Sequence, residues 1–195
     1  MEDKRVTRTK KILKETLLHL LNDSLFEDIS IKELCNRAGI SRVTFYTHYN
    51  DKFDLIDDVF SDMQEQGEKI YRQLQAENNA SLDPVTGYCN LLDCILTVYS
   101  ENYDFFRHIN PAENSYLSFS FYSRVLKAVE SHTETVKESL LPKYSVRKIT
   151  AFLCYGLCGF VAEGRTAKCS METIRREAKE ILRGILYSNV LTERP

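Results

Sequence analysis

Residues 39–55, GISRVTFYTHYNDKFDL, combine buried-type and exposed-type side chains in a pattern that decides the fold of the surrounding segment. Ile40, Phe45 and Tyr49 recur at a spacing that places them on one side of a short helix. The intervening residues are mostly polar, and Ser41 is suited to cap the N-terminus of that helix. We therefore expect one face of the helix to pack into a core and the other to remain free for a partner.

A second short helix precedes this one. Ser30 and Glu33 form a capping-box pattern, in which each side chain satisfies the free backbone amide of the other residue. The helix that follows, residues 31–38, meets a C-terminal stop signal at Gly39. Two short helices joined by a glycine-containing turn predict a helix-turn-helix.

Helical periodicity continues through the rest of the chain, which has only 7 glycines and 4 prolines among 195 residues. Periodic patterns cover about residues 51–78, 85–102, 103–109, 115–141, 145–168 and 171–191. No convincing strand period occurs. We expect an all-α fold, with a three-helix N-terminal domain over 1–52 joined by a long helix to a larger helical bundle over 53–195.

Charge is unevenly distributed along the chain, whose net charge is -2. Residues 1–52 carry a net charge of +2 and the remainder carries -4, while residues 4–14 hold six basic residues and no acidic one. This asymmetry favours a local contact with a polyanion. A solvated charged helix face is the alternative interpretation.

Neither a secretory signal nor a membrane span is evident. The most apolar stretch, residues 149–162, is 14 residues long, whereas a spanning helix needs roughly 20. We therefore expect a cytoplasmic protein with no membrane association, whose six cysteines are reduced thiols. Cys154 and Cys158 could share a helix face, but no second pair with zinc-site spacing is visible. Buried thiols that act as small apolar groups are the favoured interpretation, without metal or cofactor.

The outward residues of the second short helix suit a DNA major groove. Arg42 can bind a guanine edge through two hydrogen bonds, and the methyl groups of Val43 and Thr44 can contact a thymine methyl. Four further residues can reach phosphate oxygens: Tyr46, Thr47, His48 and Lys52. The N-terminus of the first short helix, at Ser30 with Lys32 nearby, offers backbone amides to a phosphate. A short amphipathic helix with an ordinary polar outer face is the alternative.

Residues 6–57 resemble the N-terminal domain of the tetracycline-repressor (TetR/AcrR) family of bacterial regulators. The resemblance is carried by residues 29–56, ISIKELCNRAGISRVTFYTHYNDKFDLI, which include the turn AGIS and the helix motif TFYxHY. It implies that the second short helix enters the major groove. The base-contacting set carried over by the resemblance is Arg42, Val43, Thr44 and Thr47. The phosphate set is Ser30, Lys32, Tyr46, His48 and Lys52. Tyr49 stands where the family usually has a core Phe or Val, so we expect it in the core.

The same resemblance implies that the C-terminal bundle forms a homodimer through its last two helices. Two apolar stripes are compatible with this role, the first formed by Cys154, Cys158 and Val161 and the second by Ile174, Ala178, Ile181, Ile185 and Leu186. Gly156 and Gly159 would allow close helix approach. A dimer would place two recognition helices about one duplex turn apart, to read a pseudo-palindrome. An ordinary core within one chain is the alternative interpretation of the stripes.

Aromatic and small polar residues are concentrated in residues 101–125, and such a lining suits a small-molecule pocket. The candidate effector contacts are Tyr103, Phe106, His108, Tyr122 and Tyr155. Plain core packing is the alternative for each of them.

The sequence therefore predicts a DNA-binding transcriptional regulator, a ligand-responsive homodimeric repressor of a pseudo-palindromic operator. The alternative is a coactivator or adaptor of the same fold that acts through a protein partner without a small-molecule inducer. We find no nucleophile elbow, phosphate-binding glycine loop, zinc-binding histidine pair or paired-carboxylate motif, so we do not expect an enzyme.

Overall fold

The computed structural model describes residues 4–109 and 113–193. These residues form nine α-helices and one short 3-10 helix, Phe26–Asp28. The α-helices are α1 Lys4–Leu20, α2 Ile31–Ala38, α3 Arg42–His48, α4 Lys52–Asn78, α5 Pro84–Glu101, α6 Tyr103–Phe106, α7 Ser115–Leu140, α8 Val146–Thr166 and α9 Met171–Tyr187. No β-strand occurs in the described ranges, and the predicted all-α fold is confirmed.

Helix boundaries follow local signals in the sequence. Pro84 is the first residue of α5, a position where its missing N–H is not needed. The Asp83 carboxylate accepts hydrogen bonds from the amide and the hydroxyl of Thr86, both at 2.8 Å. Ser170 caps α9 by accepting from the Thr173 amide at 3.1 Å. These caps explain why the periodic pattern located most helices to within a few residues.

The chain divides into two compact units. The first contains the described residues of 1–65 and 102–121, and the second those of 66–101 and 122–195. The first unit is larger than the predicted 1–52 domain because the first half of α4, α6 and the start of α7 belong to it. The Tyr116 ring stacks on Phe26 at 5.7 Å between centroids, and the Phe26 amide donates to the Asn114 side chain at 2.7 Å. The functional boundary at residue 52 stays a prediction, and residues 1–3 and 194–195 lie outside the described part.

The core of the first unit is formed by side chains from α1, the 3-10 helix, α2, α3 and α4. Leu13, Leu17, Phe26, Leu34, Phe45, Leu55 and Ile56 are all fully buried. This core holds α3 in place from its inner side.

The core of the second unit joins α5 to the last helices. Ile149, Leu153, Ala178, Leu182 and Leu186 are buried there. An ion cluster borders this core on α5, where Asp93 accepts from Arg175 at 3.2 Å and from Lys179 at 2.7 Å.

Among the described residues, no helix combines the length and the apolar character needed to cross a membrane.

Candidate functional site

The turn between α2 and α3 is set by Gly39. This residue has φ 65° and ψ 28°, a left-handed conformation that costs a glycine little. The next amide, that of Ile40, donates to the Cys35 carbonyl at 3.0 Å. At the other end of α2, the Ser30 hydroxyl accepts from the Glu33 amide at 3.1 Å. The predicted helix and glycine turn are therefore present, and among the described residues the capping box is formed only by its Ser30 half.

Helix α3 is anchored by its inner side. Its N-cap Ser41 accepts from the Thr44 amide at 3.0 Å. The Phe45 side chain is fully buried and Tyr49, the C-cap, is almost so. Ile40 is half-buried, so the anchor consists chiefly of the two aromatic rings, whose centroids are 5.8 Å apart.

The opposite face of α3 is open. Val43 is 80% exposed and Tyr46 is 55% exposed. Arg42 and Thr47 are also exposed, whereas Thr44 and His48 are half-buried. Side chains this open contribute little to the fold of the domain, so this face of α3 is available to contact a partner.

Two hydroxyl groups on α3 are committed to local hydrogen bonds. Thr47 Oγ1 donates to the Val43 carbonyl at 2.9 Å. The Thr44 hydroxyl lies 2.9 Å from that of Ser41. Thr47 therefore presents a methyl group and acceptor lone pairs to a partner, rather than a donor.

The C-terminal end of α3 is tied to α4 and α1 through Asp58. The Tyr49 hydroxyl donates to Asp58 at 2.6 Å, and the Lys14 ammonium lies 3.1 Å from the same carboxylate. Partial burial would raise the pKa of Asp58, but the hydrogen bonds from Tyr49 and Lys14 outweigh it and hold that pKa below its ordinary value. The predicted core position of Tyr49 is confirmed, with its polar tip satisfied.

The predicted phosphate-contact residues do not share one environment. Ser30 and Lys32 are exposed at the start of α2. Lys52, in contrast, donates to three carbonyl oxygens, those of Phe26, Glu27 and Ile29, at 2.8, 2.6 and 2.9 Å. An ammonium group has three protons to donate. In Lys52 all three are donated to carbonyl oxygens of the same chain. The sequence shows the charge of Lys52, but not that carbonyl groups 23–26 residues upstream converge on it.

The candidate effector residues fall into two groups. Tyr103, Phe106 and His108 belong to the first unit, where Phe106 is a buried core ring packed on Phe121 at 4.8 Å. Tyr122 and Tyr155 belong to the second unit, with ring centroids 4.6 Å apart. The structure therefore brings the last two together, and the effector role of all five stays a prediction.

A buried polar group in the second unit was missed by the sequence reasoning. His132 of α7 packs edge-on against Tyr88 at 4.6 Å, and its Nδ1 lies 3.1 Å from the Tyr71 hydroxyl. A Cβ at Gly87 would stand 2.7 Å from the His132 ring, so Gly87 leaves the space that the ring fills. The sequence signal that could have indicated this buried histidine is its position within an otherwise apolar helical stripe.

Acidification is expected to destabilise the second unit through His132. Burial lowers the pKa of His132 from its ordinary 6.5, and the Pro84 carbonyl opposes this only in part. The unfolded chain therefore binds the proton more readily, and stability falls as the pH drops through and below about 6.5. Thermal unfolding of the wild type and His132→Gln should be compared between pH 7.5 and pH 5. A wild-type loss no larger than that of the variant would contradict this prediction.

The open apolar stripe on the last two helices coincides only in part with the predicted one. Cys154, Ile174, Ala178 and Leu186 are buried in the core of their own unit. On α8 the exposed aromatic side chains are instead Phe152 and Tyr155, at 54% and 67% exposure. Gly156 and Gly159 lie beside them, and a Cβ on either glycine would meet nothing within 4 Å. The intrachain core thus covers part of the predicted stripe, whereas Cys158 and Ile181 of that stripe are exposed and its role in dimerisation stays a prediction.

The six cysteines are free thiols, and four of them are buried. Burial raises the pKa of Cys94 and Cys154 to about 12, so these thiols stay protonated near neutral pH. Among the residues that the structure describes, no three His, Cys, Asp or Glu side chains gather where they could hold a metal ion.

Sequence similarity to curated proteins is confined to a short segment. No family model matches the chain. An uncharacterised HTH-type transcriptional regulator of Bacillus subtilis (strain 168), YxbF, is 45% identical over 53 residues, which are 27% of this chain and 14% of that protein. Since the match spans so little of that relative, its other properties do not transfer to this chain.

Similarity to solved structures extends over nearly the whole chain. A structure described as a TetR-family transcriptional regulator from Syntrophomonas wolfei has a TM-score of 0.77 at 13% identity, covering 94% of this chain and 97% of that one. The Thermus thermophilus FadR, a TetR-family transcriptional repressor in complex with lauroyl-CoA, has a TM-score of 0.62 at 14% identity, covering 95% and 97%. At identities this low, the structural similarity establishes the fold and nothing beyond it. The chain therefore has the fold of the TetR-family transcriptional regulators.

Proposed function

We propose that this protein is a cytoplasmic DNA-binding transcriptional regulator and not an enzyme. As a homodimer it represses transcription at a pseudo-palindromic operator and leaves it when a small molecule binds. The observation that carries the proposal is the division of α3 into an anchored side, with Phe45 fully buried, and an open side, with Val43 80% exposed. A helix held in this way can dock into a major groove without losing its place in the domain.

Base reading is assigned to the open face of α3. Arg42 at its N-terminal end is exposed and can bind guanine through O6 and N7. Val43 and Thr44 offer methyl groups to thymine. Thr47 donates its own proton to the helix backbone, so it is suited to accept from the amino group of cytosine or adenine.

Phosphate contacts are assigned to the flanks of the helix-turn-helix. Ser30 and Lys32 stand at the start of α2, where the free amides of the first turn favour an anion. Tyr46 and His48 on α3 complete the set. These contacts fix the docking register and carry no sequence information themselves.

Dimerisation is assigned to the outer stripe of α8, with exposed Ile181 and Tyr187 on α9. Aromatic side chains are enriched at the centre of protein interfaces, and the open backbone at Gly156 and Gly159 permits close helix approach. A two-fold dimer presents two α3 helices to two half-sites.

Effector binding is assigned to the second unit, where Tyr122 remains the candidate contact, whereas Tyr155, whose ring packs on Tyr122, is assigned to the dimer stripe. The Thermus thermophilus repressor of this fold binds lauroyl-CoA, so amphipathic acyl compounds form the first class to screen. An effector acts only through a difference in affinity between the DNA-bound and free states.

Binding to the DNA that flanks the protein's own gene would test the proposal, measured at two salt concentrations. We expect tight binding that survives competitor DNA and weakens steeply with salt. If no flanking or genomic fragment is bound more tightly than random DNA, and a stoichiometric protein partner copurifies instead, the adaptor alternative would replace the repressor proposal.

Arg42→Ala is expected to weaken binding to the specific site by about 1–3 kcal/mol, because it removes a two-bond contact to a base. Binding to random DNA should change far less. Fluorescence anisotropy with both duplexes would measure this, and Lys32→Ala is the matched control, since it should weaken both similarly. Equal losses on the two duplexes for Arg42→Ala would refute its base-reading role.

A further inference from the structure

Lys52, the first residue of α4, ends in a closed set of contacts. Its ammonium group donates to the carbonyl oxygens of Phe26, Glu27 and Ile29. Three protons meet three acceptors at 2.6–2.9 Å, which is the full donor capacity of a lysine. A phosphate could accept a hydrogen bond from Lys52 only if one of the bonds to a carbonyl oxygen were broken.

Aromatic rings enclose the same ammonium group. It lies 5.0 Å from the centroid of Phe26 and 5.8 Å from that of Phe53. The two rings meet edge to face at 5.4 Å, and Phe26 is fully buried. Cations are attracted to ring faces at such distances. The two rings and the three carbonyl groups therefore bind the Lys52 ammonium group together.

The three carbonyl groups belong to the segment that leads into α2. Phe26 and Glu27 lie in the 3-10 helix, and Ile29 directly precedes Ser30, the N-cap of α2. Lys52 therefore joins the start of α4 to the start of α2. The proposed phosphate contacts Ser30 and Lys32 stand at that start.

We infer that Lys52 is a positioning residue that fixes the N-terminus of α2 for DNA, and is not itself a phosphate contact. The inference rests on the proposed DNA-binding function. It also replaces the phosphate role that sequence similarity implies for this lysine.

The electrostatics agree with a partly enclosed cation. Partial burial lowers the pKa of Lys52, while the neighbouring carboxylates of Glu27 and Asp28 oppose that change. The enclosed charge is thus compensated by neighbouring groups of its own chain.

Three variants separate positioning from phosphate contact: Lys52→Met, Lys52→Arg and the control Lys32→Met. Binding to a labelled random-sequence duplex would be measured over a range of salt concentrations, at a temperature where circular dichroism shows every variant folded. Lys32→Met should lower the salt slope by about 0.9, as expected for one lost phosphate contact. Lys52→Met should weaken binding several-fold with no change in slope, and should lower the melting temperature by at least about 4 °C.

Lys52→Arg provides the decisive comparison. Arginine keeps the charge and binds phosphate well, but its planar fork does not match three converging carbonyls. We therefore expect this variant to lose affinity as Lys52→Met does. Full affinity for Lys52→Arg, together with a reduced slope for Lys52→Met, would overturn the inference.

Nitrogen-15 NMR spectra of the lysine ammonium groups report directly on whether each group is bound within the protein or contacts DNA. The Lys52 signal should be protected from solvent exchange in the free protein and unchanged on DNA addition, whereas the Lys32 signal should shift. A Lys52 signal in rapid exchange in the free protein, or one that shifts with DNA, would contradict the inference. The solvent protection of the Lys52 signal and the melting temperature are measured without DNA, so they test the Lys52 contacts independently. A wild type that binds no DNA would therefore contradict the proposed function, not the contacts of Lys52.

Discussion

Phe45→Ala is expected to lower the free energy of unfolding of the first unit by about 3–5 kcal/mol. The ring is fully buried, and it contacts the rings of Tyr46 and Tyr49 at centroid distances of 5.4 and 5.8 Å. Helix α3 has 7 residues, fewer than an isolated helix needs to be stable in water. Its conformation therefore depends on this anchor, and the variant should lose DNA binding along with stability.

Denaturant unfolding followed by circular dichroism would measure the loss. Val43→Ala is the matched control, because it shortens an exposed side chain on the same helix and should change stability by less than about 0.5 kcal/mol. Similar midpoints for the two variants would show that Phe45 does not anchor α3.

Tyr155→Glu is expected to convert the proposed dimer to a monomer. The side chain is 67% exposed in the single chain and its ring packs on that of Tyr122, so we expect the subunit to stay folded without it. In a two-fold interface each substitution acts twice, and a central aromatic residue typically contributes about 2–4 kcal/mol. Two introduced carboxylates would in addition be buried at the interface without a partner.

Sedimentation equilibrium would report the change in mass, and operator binding should fall because a monomer engages a single half-site. Phe119→Glu is the control, since Phe119 is 72% exposed but lies on α7 in the first unit. A Tyr155→Glu protein that dimerises as tightly as the wild type would exclude this stripe. A wild type that stays monomeric would exclude the dimer itself.

Local features of the first unit could be predicted from the sequence because each depends on a few neighbouring residues. Ser30, Gly39 and Ser41 act on amides and carbonyls within a few positions, and these signals located α2, the turn and α3. The anchor residues Phe45 and Tyr49 follow from helical spacing alone.

Features that depend on distant parts of the chain could not be predicted in the same way. The partners of Lys52 lie in a segment before α2, and no local pattern shows that their carbonyls converge. Helical spacing also cannot decide which apolar side of α8 its own chain covers. Spacing alone therefore predicts Cys154 at the subunit interface, although it belongs to the intrachain core.

The two-sided construction of α3 has a consequence for how such a regulator diversifies. Ser41, Phe45 and Tyr49 determine that the helix forms and where it lies, whereas Arg42 and Val43 are exposed to solvent. Substitutions in the exposed set should be nearly silent for folding, so under the proposed function gene duplicates would drift to new target sites without compensating changes elsewhere. The same function would let a designer retarget the protein by changing one side of two helical turns.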